Sequence, residues 1–195
     1  MIAGIRFRET TTADVPAMEL CRLADPIDGL ADPRMAAYFD RQHHPQQALL
    51  PRVGYVALAN DTVIGYIAGH RTTRHGCSGE VQYVFVAPAY RRRGIGTALL
   101  QLLAEWFQAQ AAQKVCVAVA ADSPPEAQPF YERCWRLSVK EKLVHVGRHR
   151  GSSSFKCARL KLNVNALTAR GESVKLSPSE FFRHQQVSAR SSNAA

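Results

Sequence analysis

Apolar and polar residues alternate in some stretches of the chain and recur every three or four positions in others, and these two periods divide it into elements. Ile5 to Arg8 alternates Ile, Arg, Phe, Arg and predicts a half-buried strand. Thr11 or Thr12 then caps a helix with Asp14 and Pro16 in its first turn and Met18, Leu20 and Leu23 on its inner face. A loop with Pro26, Gly29 and Pro33 leads to a short helix from Arg34 to about Gln42, with Met35, Tyr38 and Phe39 on one side. Val53 to Ala59 and Val63 to Ala68 read as two strands joined by a tight Asn60-Asp61 turn. A loop from Arg71 to Gly79 precedes a third apolar strand, Val81 to Val86. The longest helical pattern places Ile95, Leu99, Leu102, Leu103 and Trp106/Phe107 on one face. Lys114 to Ala120 reads as a buried strand, and Pro124 to Arg133 as a helix with proline at its start.

The join between the third strand and the long helix carries the clearest chemistry. After Val86 come Pro88, the run Arg91-Arg92-Arg93, then Gly94-Ile95-Gly96-Thr97 at the point where the helix begins. Free backbone N–H groups and the positive end of the helix dipole converge at such a turn and make an anion site. The spacing excludes two common phosphate loops. A Walker A loop needs a Lys-Ser/Thr pair after its second glycine, and a dinucleotide fingerprint needs a third glycine three residues on.

The order Val86-x-Pro88, Arg91-Arg92-Arg93-Gly94-Ile95-Gly96 resembles the Gln/Arg-x-x-Gly-x-Gly/Ala motif of the GNAT superfamily of N-acetyltransferases. The resemblance implies an α/β GNAT (acyl-CoA N-acyltransferase) fold, a mixed and mostly antiparallel central sheet flanked by helices. It implies acetyl-CoA as cosubstrate. The amides of Arg91, Arg92, Arg93, Gly94, Ile95, Gly96 and Thr97 would hold its pyrophosphate, with the arginines adding charge and the Thr97 hydroxyl one more donor. In the same register the backbone of Val84, Phe85 and Val86 would lie beside the pantetheine arm and stabilise the oxyanion of the tetrahedral intermediate. The first strand and two helices resemble the family's N-terminus, whose helices roof the acceptor-amine site. His43 and His44 at their end read as loop residues rather than bases.

An alkyl ammonium has no lone pair at neutral pH, so a base is useful. Counted back from the glycines, Glu80 falls where the histone-acetylating branch of the family carries its glutamate base, and no other acid lies between Asp61 and Glu105. A solvent-facing glutamate at a strand end fits the same pattern. Phe130-Tyr131 resembles the family segment whose tyrosine protonates the departing thiolate, which gives Tyr131 that role by resemblance; Phe-Tyr on a helix also suits core packing. Cys116 and Cys134 have no identifiable activating partner, so no covalent acyl-enzyme and no metal are expected.

Composition narrows the setting. Five scattered cysteines without Cys-x-x-Cys spacing argue against a disulfide framework or zinc site. No apolar run is long enough to span a membrane, and Arg6, Arg8 and Glu9 interrupt any signal-peptide core, so a cytoplasmic protein without membrane partners is expected. The net charge of +9 is uneven: Lys+Arg against Asp+Glu is 13 against 13 over residues 1–135 and 12 against 3 over 136–195. The part that carries the motif is neutral, which argues against nucleic acid as its substrate. The expected partners are acetyl-CoA and an amine acceptor, small molecule or protein, and a homodimer is left open. A rival reading is a catalytically silent CoA-binding module whose basic tail contacts nucleic acid or an acidic partner.

After Cys134 the pattern departs from the family, with Trp135-Arg136 where a Gly-Phe is expected. In one reading Lys142 to Gly147 and Phe155 to Val164 form a divergent terminal hairpin that completes a domain of residues 1–165. In the other, a reading-frame shift makes the sequence from 136 onward unrelated to the family. Residues 166–195 are basic, Ser-rich and short of apolar side chains, and are expected to be a flexible tail.

Overall fold

The computed structural model describes residues 2–26, 32–45, 47–119, 130, 144–145 and 158–163. Three long strands dominate it: β2 (Ala48–Ala59), β3 (Thr62–Thr72) and β4 (Gly79–Val86) pair antiparallel in sequence, with β1 (Ile5–Glu9) antiparallel on the outer edge of β2. Strand β5 (Lys114–Val119) lies parallel to β4, and β7 (Ala158–Asn163) pairs antiparallel with β5 and with the short β6 (Val144–His145). The order across the described sheet is β1-β2-β3-β4-β5-β7-β6.

The turn between β2 and β3 has the expected chemistry. Asn60 and Asp61 hold φ of 46° and 62° between the paired residues Ala59 and Thr62, the mirror-image turn whose twist suits a hairpin. Both strands run further than their apolar cores suggest, because polar residues Arg52, His70 and Thr72 also pair in the ladder.

The sheet separates two cores. On one face lies α3 (Ile95–Ala109), which buries Ile95, Leu99, Leu102, Leu103, Trp106 and Phe107 against Tyr55, Ile67, Val81, Val115 and Val117. A buried leucine contributes on the order of 2 kcal/mol, so this face fixes α3 and hence the loop before it. Gly79 makes the fit possible, since a Cβ there would lie 2.5 Å from the Phe107 ring. On the other face, α1 (Val15–Leu23) and α2 (Arg34–Phe39) cover Val56, Tyr66, Ala68, Tyr83 and Phe85.

Helix α1 corrects the inner face expected from sequence. Val15, Met18 and Cys21 are its buried residues, whereas Leu20 and Leu23 are 69% and 48% exposed. A short 3-10 turn, Thr12–Asp14, precedes it, and the Asp14 carboxylate accepts from the Thr11 N–H (2.8 Å) and hydroxyl (3.0 Å) and from both Arg8 nitrogens (2.7 and 2.6 Å). Tied to β1 in this way, the helix has its phase set from Val15, and Leu20 falls about 200° from Met18. Helix α2 ends at Phe39, short of the Gln42 read from sequence.

The Asp14 cluster yields a pH prediction. The Arg8 hydrogen bonds, opposed by burial and aided by Thr11, lower the Asp14 carboxyl to about 2 from 3.8. A depressed folded-state pKa stabilises the protein above the unfolded value near 4, and this contribution is lost as pH falls from about 4 towards 2. Asp14→Asn is expected to cost about 2 kcal/mol at pH 7, with the gap to the parent closing below pH 3, as read by urea unfolding across that range. A gap that stays constant with pH would contradict this assignment.

Candidate active site

Strand β4 has two different neighbours. Its ladder with β3 runs from Gly79 to Val86, but its ladder with β5 covers only Gly79, Glu80 and Val81. Between Tyr83 and Val81 the β3 register slips by one residue, so that Gln82 bulges out of the ladder. The bulge puts Glu80, Tyr83 and Phe85 on the face covered by α1 and α2, while Val81, Val84 and Val86 face α3. The Ala87 N–H donates to the Ile64 carbonyl on β3 at 2.8 Å. Backbone groups alternate along a strand, so the N–H groups of Val86 and Val84 point to the other side, where β5 has left.

The open edge of β4 ends at the arginine-glycine loop. A 3-10 turn, Pro88–Tyr90, reverses the chain, Arg92 takes φ of 62° and Gly94 φ of 82°, and α3 begins. The first intrahelical bond runs from the Ala98 N–H to the Gly94 carbonyl at 3.0 Å, so the N–H groups of Ile95, Gly96 and Thr97 lie ahead of it at the positive end of the helix. Gly96 is packed rather than strained: a Cβ there would lie 3.3 Å from the Phe130 ring and 3.8 Å from Val86 Cγ2. Loop, helix end and β4 edge therefore meet at Val86. This corner offers a row of backbone donors suited to a ligand with phosphates at one end and carbonyl oxygens along its length.

The three arginines differ. Arg92 and Arg93 are exposed, and Arg93 stacks over the Tyr90 ring at 5.3 Å. Arg91 turns inward: its Nε donates to the Val86 carbonyl at 2.9 Å, and its Nη2 donates to the carboxylate of Asp25, whose side chain is 1% exposed. The guanidinium expected to add charge at the loop is thus engaged by a buried acid, which leaves Arg92 and Arg93 as the loop's exposed cations.

Glu80 is neither solvent-facing nor alone. It is 5% exposed, and its Oε1 lies 3.3 Å from Arg74 Nη1. Directly across the β3 ladder stands His70, fully buried, with Nε2 3.7 Å from Glu80 Oε2 and Nδ1 3.1 Å from the Tyr38 hydroxyl of α2. Tyr38 carries the Arg52 guanidinium over its ring at 4.5 Å. His70 Nε2 and Glu80 Oε2 have no hydrogen-bond partner among the described residues, so the two buried atoms face each other with unmet capacity. Sequence reading missed His70, and only its ladder register with Glu80 could have found it. On the far side, Cys116 pairs with Glu80 in the β5 ladder. Its thiol pKa is raised first by a hydrogen bond with Cys77, then by burial and by the Glu80 charge, which keeps it protonated and unreactive. His43 and His44 lie in the connection after α2, where the His43 carbonyl and His44 Nδ1 contact Arg52 at 2.9 Å each. Tyr131 and the Pro124 to Arg133 helix lie outside the described residues except for Phe130, and Cys134 lies outside them altogether.

Comparison with known proteins agrees with this geometry. Residues 19–134 match the model of the acetyltransferase (GNAT) family, which spans more than half of the chain. The chain belongs to the GNAT acetyltransferase family. Its fold is similar to a GNAT-family acetyltransferase from Staphylococcus aureus Mu50 (TM-score 0.61, 14% identity, 82% of this chain and 99% of that one). It is similar also to the ribosomal-protein-S18-alanine N-acetyltransferase of Escherichia coli (TM-score 0.58, 15% identity, 88% and 99% covered). A third similar structure is the PaiA N-acetyltransferase of Thermoplasma acidophilum in complex with coenzyme A (TM-score 0.53, 13% identity, 82% and 98% covered). No curated protein matches the chain by sequence.

Replacing Tyr38 by Phe removes the one hydrogen bond that His70 Nδ1 makes among the described residues and leaves that buried ring nitrogen without it. It is expected to cost about 1–3 kcal/mol in denaturant unfolding, and an unchanged midpoint would show that the contact does not hold α2 to β3.

Proposed function

We propose that this chain is an N-acetyltransferase that moves the acetyl group of acetyl-CoA to a primary amine by direct attack in a ternary complex. The observation that carries the reading is the departure of β5 from β4 after Val81, at the strand end that runs into the Gly94 turn and the N-terminus of α3. Here the amides of Arg91 to Thr97 hold the pyrophosphate, Arg92 and Arg93 supply positive charge, and the exposed Thr97 hydroxyl adds a donor. The edge of Val84, Phe85 and Val86 takes the pantetheine arm, and its outward N–H groups stabilise the oxyanion.

Glu80 is the base. The acceptor ammonium loses one proton to its carboxylate, and the freed lone pair forms the C–N bond at the thioester carbon. As the tetrahedral adduct collapses, the C–S bond breaks and the nitrogen's second proton passes to water, and Glu80 releases the first to solvent before the next turnover. Tyr131 donates its phenolic proton to the departing sulfur and regains one from solvent. The role of Tyr131 rests on its sequence motif and on its neighbour Phe130, which packs on Gly96. No enzyme nucleophile and no metal take part, and the protein works in the cytoplasm. Residues 1–165 form one acetyltransferase domain, a reading supported by the six-residue register of β7 on β5, and 166–195 form a basic tail.

Calorimetric titration with acetyl-CoA tests the site. Saturable binding is expected for the parent and none for a folded Gly94→Glu/Gly96→Glu variant; a folded parent that does not bind would refute the reading, and binding without turnover of any amine would favour the silent module. In a thiol-release assay with a panel of primary amines, Glu80→Gln and Tyr131→Phe are each expected to lower kcat by about 100-fold while acetyl-CoA affinity holds. Equal loss of affinity would deny them a part in proton transfer.

A further inference from the structure

A buried carboxylate needs a reason, because leaving water costs several kcal/mol unless the charge is paired. Asp25, which follows the last turn of α1, is such a group at 2% exposure, and its partner is the first arginine of the glycine loop, 66 residues away in sequence. The Arg91 guanidinium is held at three points: Nη2 on the Asp25 carboxylate, Nε on the Val86 carbonyl, and its Cζ 5.7 Å from the centre of the Phe85 ring. Arg91 starts in the loop that leads to α3, while Phe85 and Asp25 belong to the face covered by α1. The side chain therefore straps across the end of the sheet's open edge.

The strap acts at the corner where the ligand must turn. Val86 directs both its N–H and its C=O to the side that β5 has left, and β5 supplies no donor for that carbonyl. Arg91 supplies it, so the carbonyl is occupied and the end of β4 presents N–H groups to a ligand. Val86 also lies beside the other half of the site, since a Cβ added to Gly96 at the helix start would lie 3.8 Å from its Cγ2. The core packing of α3 places the loop, and one guanidinium ties the end of the strand edge to it. The guanidinium in turn is oriented by one buried carboxylate, which also neutralises it.

We propose that Asp25 is a positioning residue of the acetyl-CoA site: through Arg91 it fixes the corner between the β4 edge and the glycine loop, so that one ligand can satisfy both. This inference rests on the acetyl-CoA reading above. It predicts that Asp25 matters only to a ligand that spans the corner. A nucleotide that fills the loop alone does not report the corner.

The test is calorimetric titration of the full chain with two probes, acetyl-CoA and adenosine 3′,5′-bisphosphate, the nucleotide end without the pantetheine arm. Asp25→Ala and Arg91→Lys are each expected to weaken acetyl-CoA about tenfold, the scale of one or two misplaced hydrogen bonds, and to leave the bisphosphate within about twofold. Asp25→Asn, which keeps an oxygen for Arg91 and preserves shape, is expected to fall between parent and Asp25→Ala and stands in for it should the alanine variant unfold. Combining Asp25→Ala with Arg91→Ala should cost little more than either alone, because the two act as one unit. Equal weakening of both probes, or additive losses, would reduce the pair to an ordinary structural pin and overturn the proposal. So would unchanged acetyl-CoA affinity in folded variants. A parent that binds neither probe would overturn the functional reading itself, an outcome distinct from a parent that binds both while the variants fail to discriminate.

Discussion

Strand β4 is held by two neighbours that leave it at different points, β5 after Val81 and β3 only at Val86. A buried strand normally pairs on both sides, because an unpaired backbone group away from water costs about as much as a lost hydrogen bond. Here the edge beyond Val81 opens beside the start of α3, where the helix end leaves further donors. The N–H groups of Val84 and Val86 and those at the start of α3 therefore share one corner. The bulge at Gln82 adds to this by turning Glu80 to one face and Val84 and Val86 to the other.

Everything else holds that corner in place. The face of α3 from Ile95 to Phe107 buries against β2, β3, β4 and β5, so the loop before it cannot drift. The opposite core sets α1 and α2 over Tyr66, Tyr83 and Phe85. Two buried ionic arrangements then cross between elements: Asp25 with Arg91 at the phosphate loop, and Arg74 with Glu80 beside His70 at the start of β4. Removing one partner of such a pair leaves a charge without compensation, whereas exposed pairs such as Arg6 with Asp61 contribute little.

Local features were legible in the sequence because local physics decides them. The 3.6-residue spacing of Ile95, Leu99, Leu102, Leu103 and Phe107, the Asn60-Asp61 hairpin and the glycines at the start of α3 each depend on neighbours a few residues away. Leu20 and Leu23 misled because a nine-residue helix offers few turns from which to judge its phase, and Asp14 bound to Arg8 sets that phase from outside the helix. The burial of Glu80 was ambiguous for a similar reason. Its setting comes from His70, Arg74 and Cys116, which only strand register brings together. Asp25 gave no signal at all, since its partner lies on another element. The opening between β4 and β5 is a property of the backbone and leaves almost no side-chain trace.

The account stands on the claim that the outward amides of β4 beyond Val81 and those of the Gly94 loop bind one ligand together. Residue-resolved amide hydrogen exchange, with and without saturating acetyl-CoA, measures this directly. The account predicts new protection at Val84 and Val86 together with Ile95 to Thr97, while Phe85, already turned to β3, changes little. Protection confined to the loop, or absent from both, would contradict it.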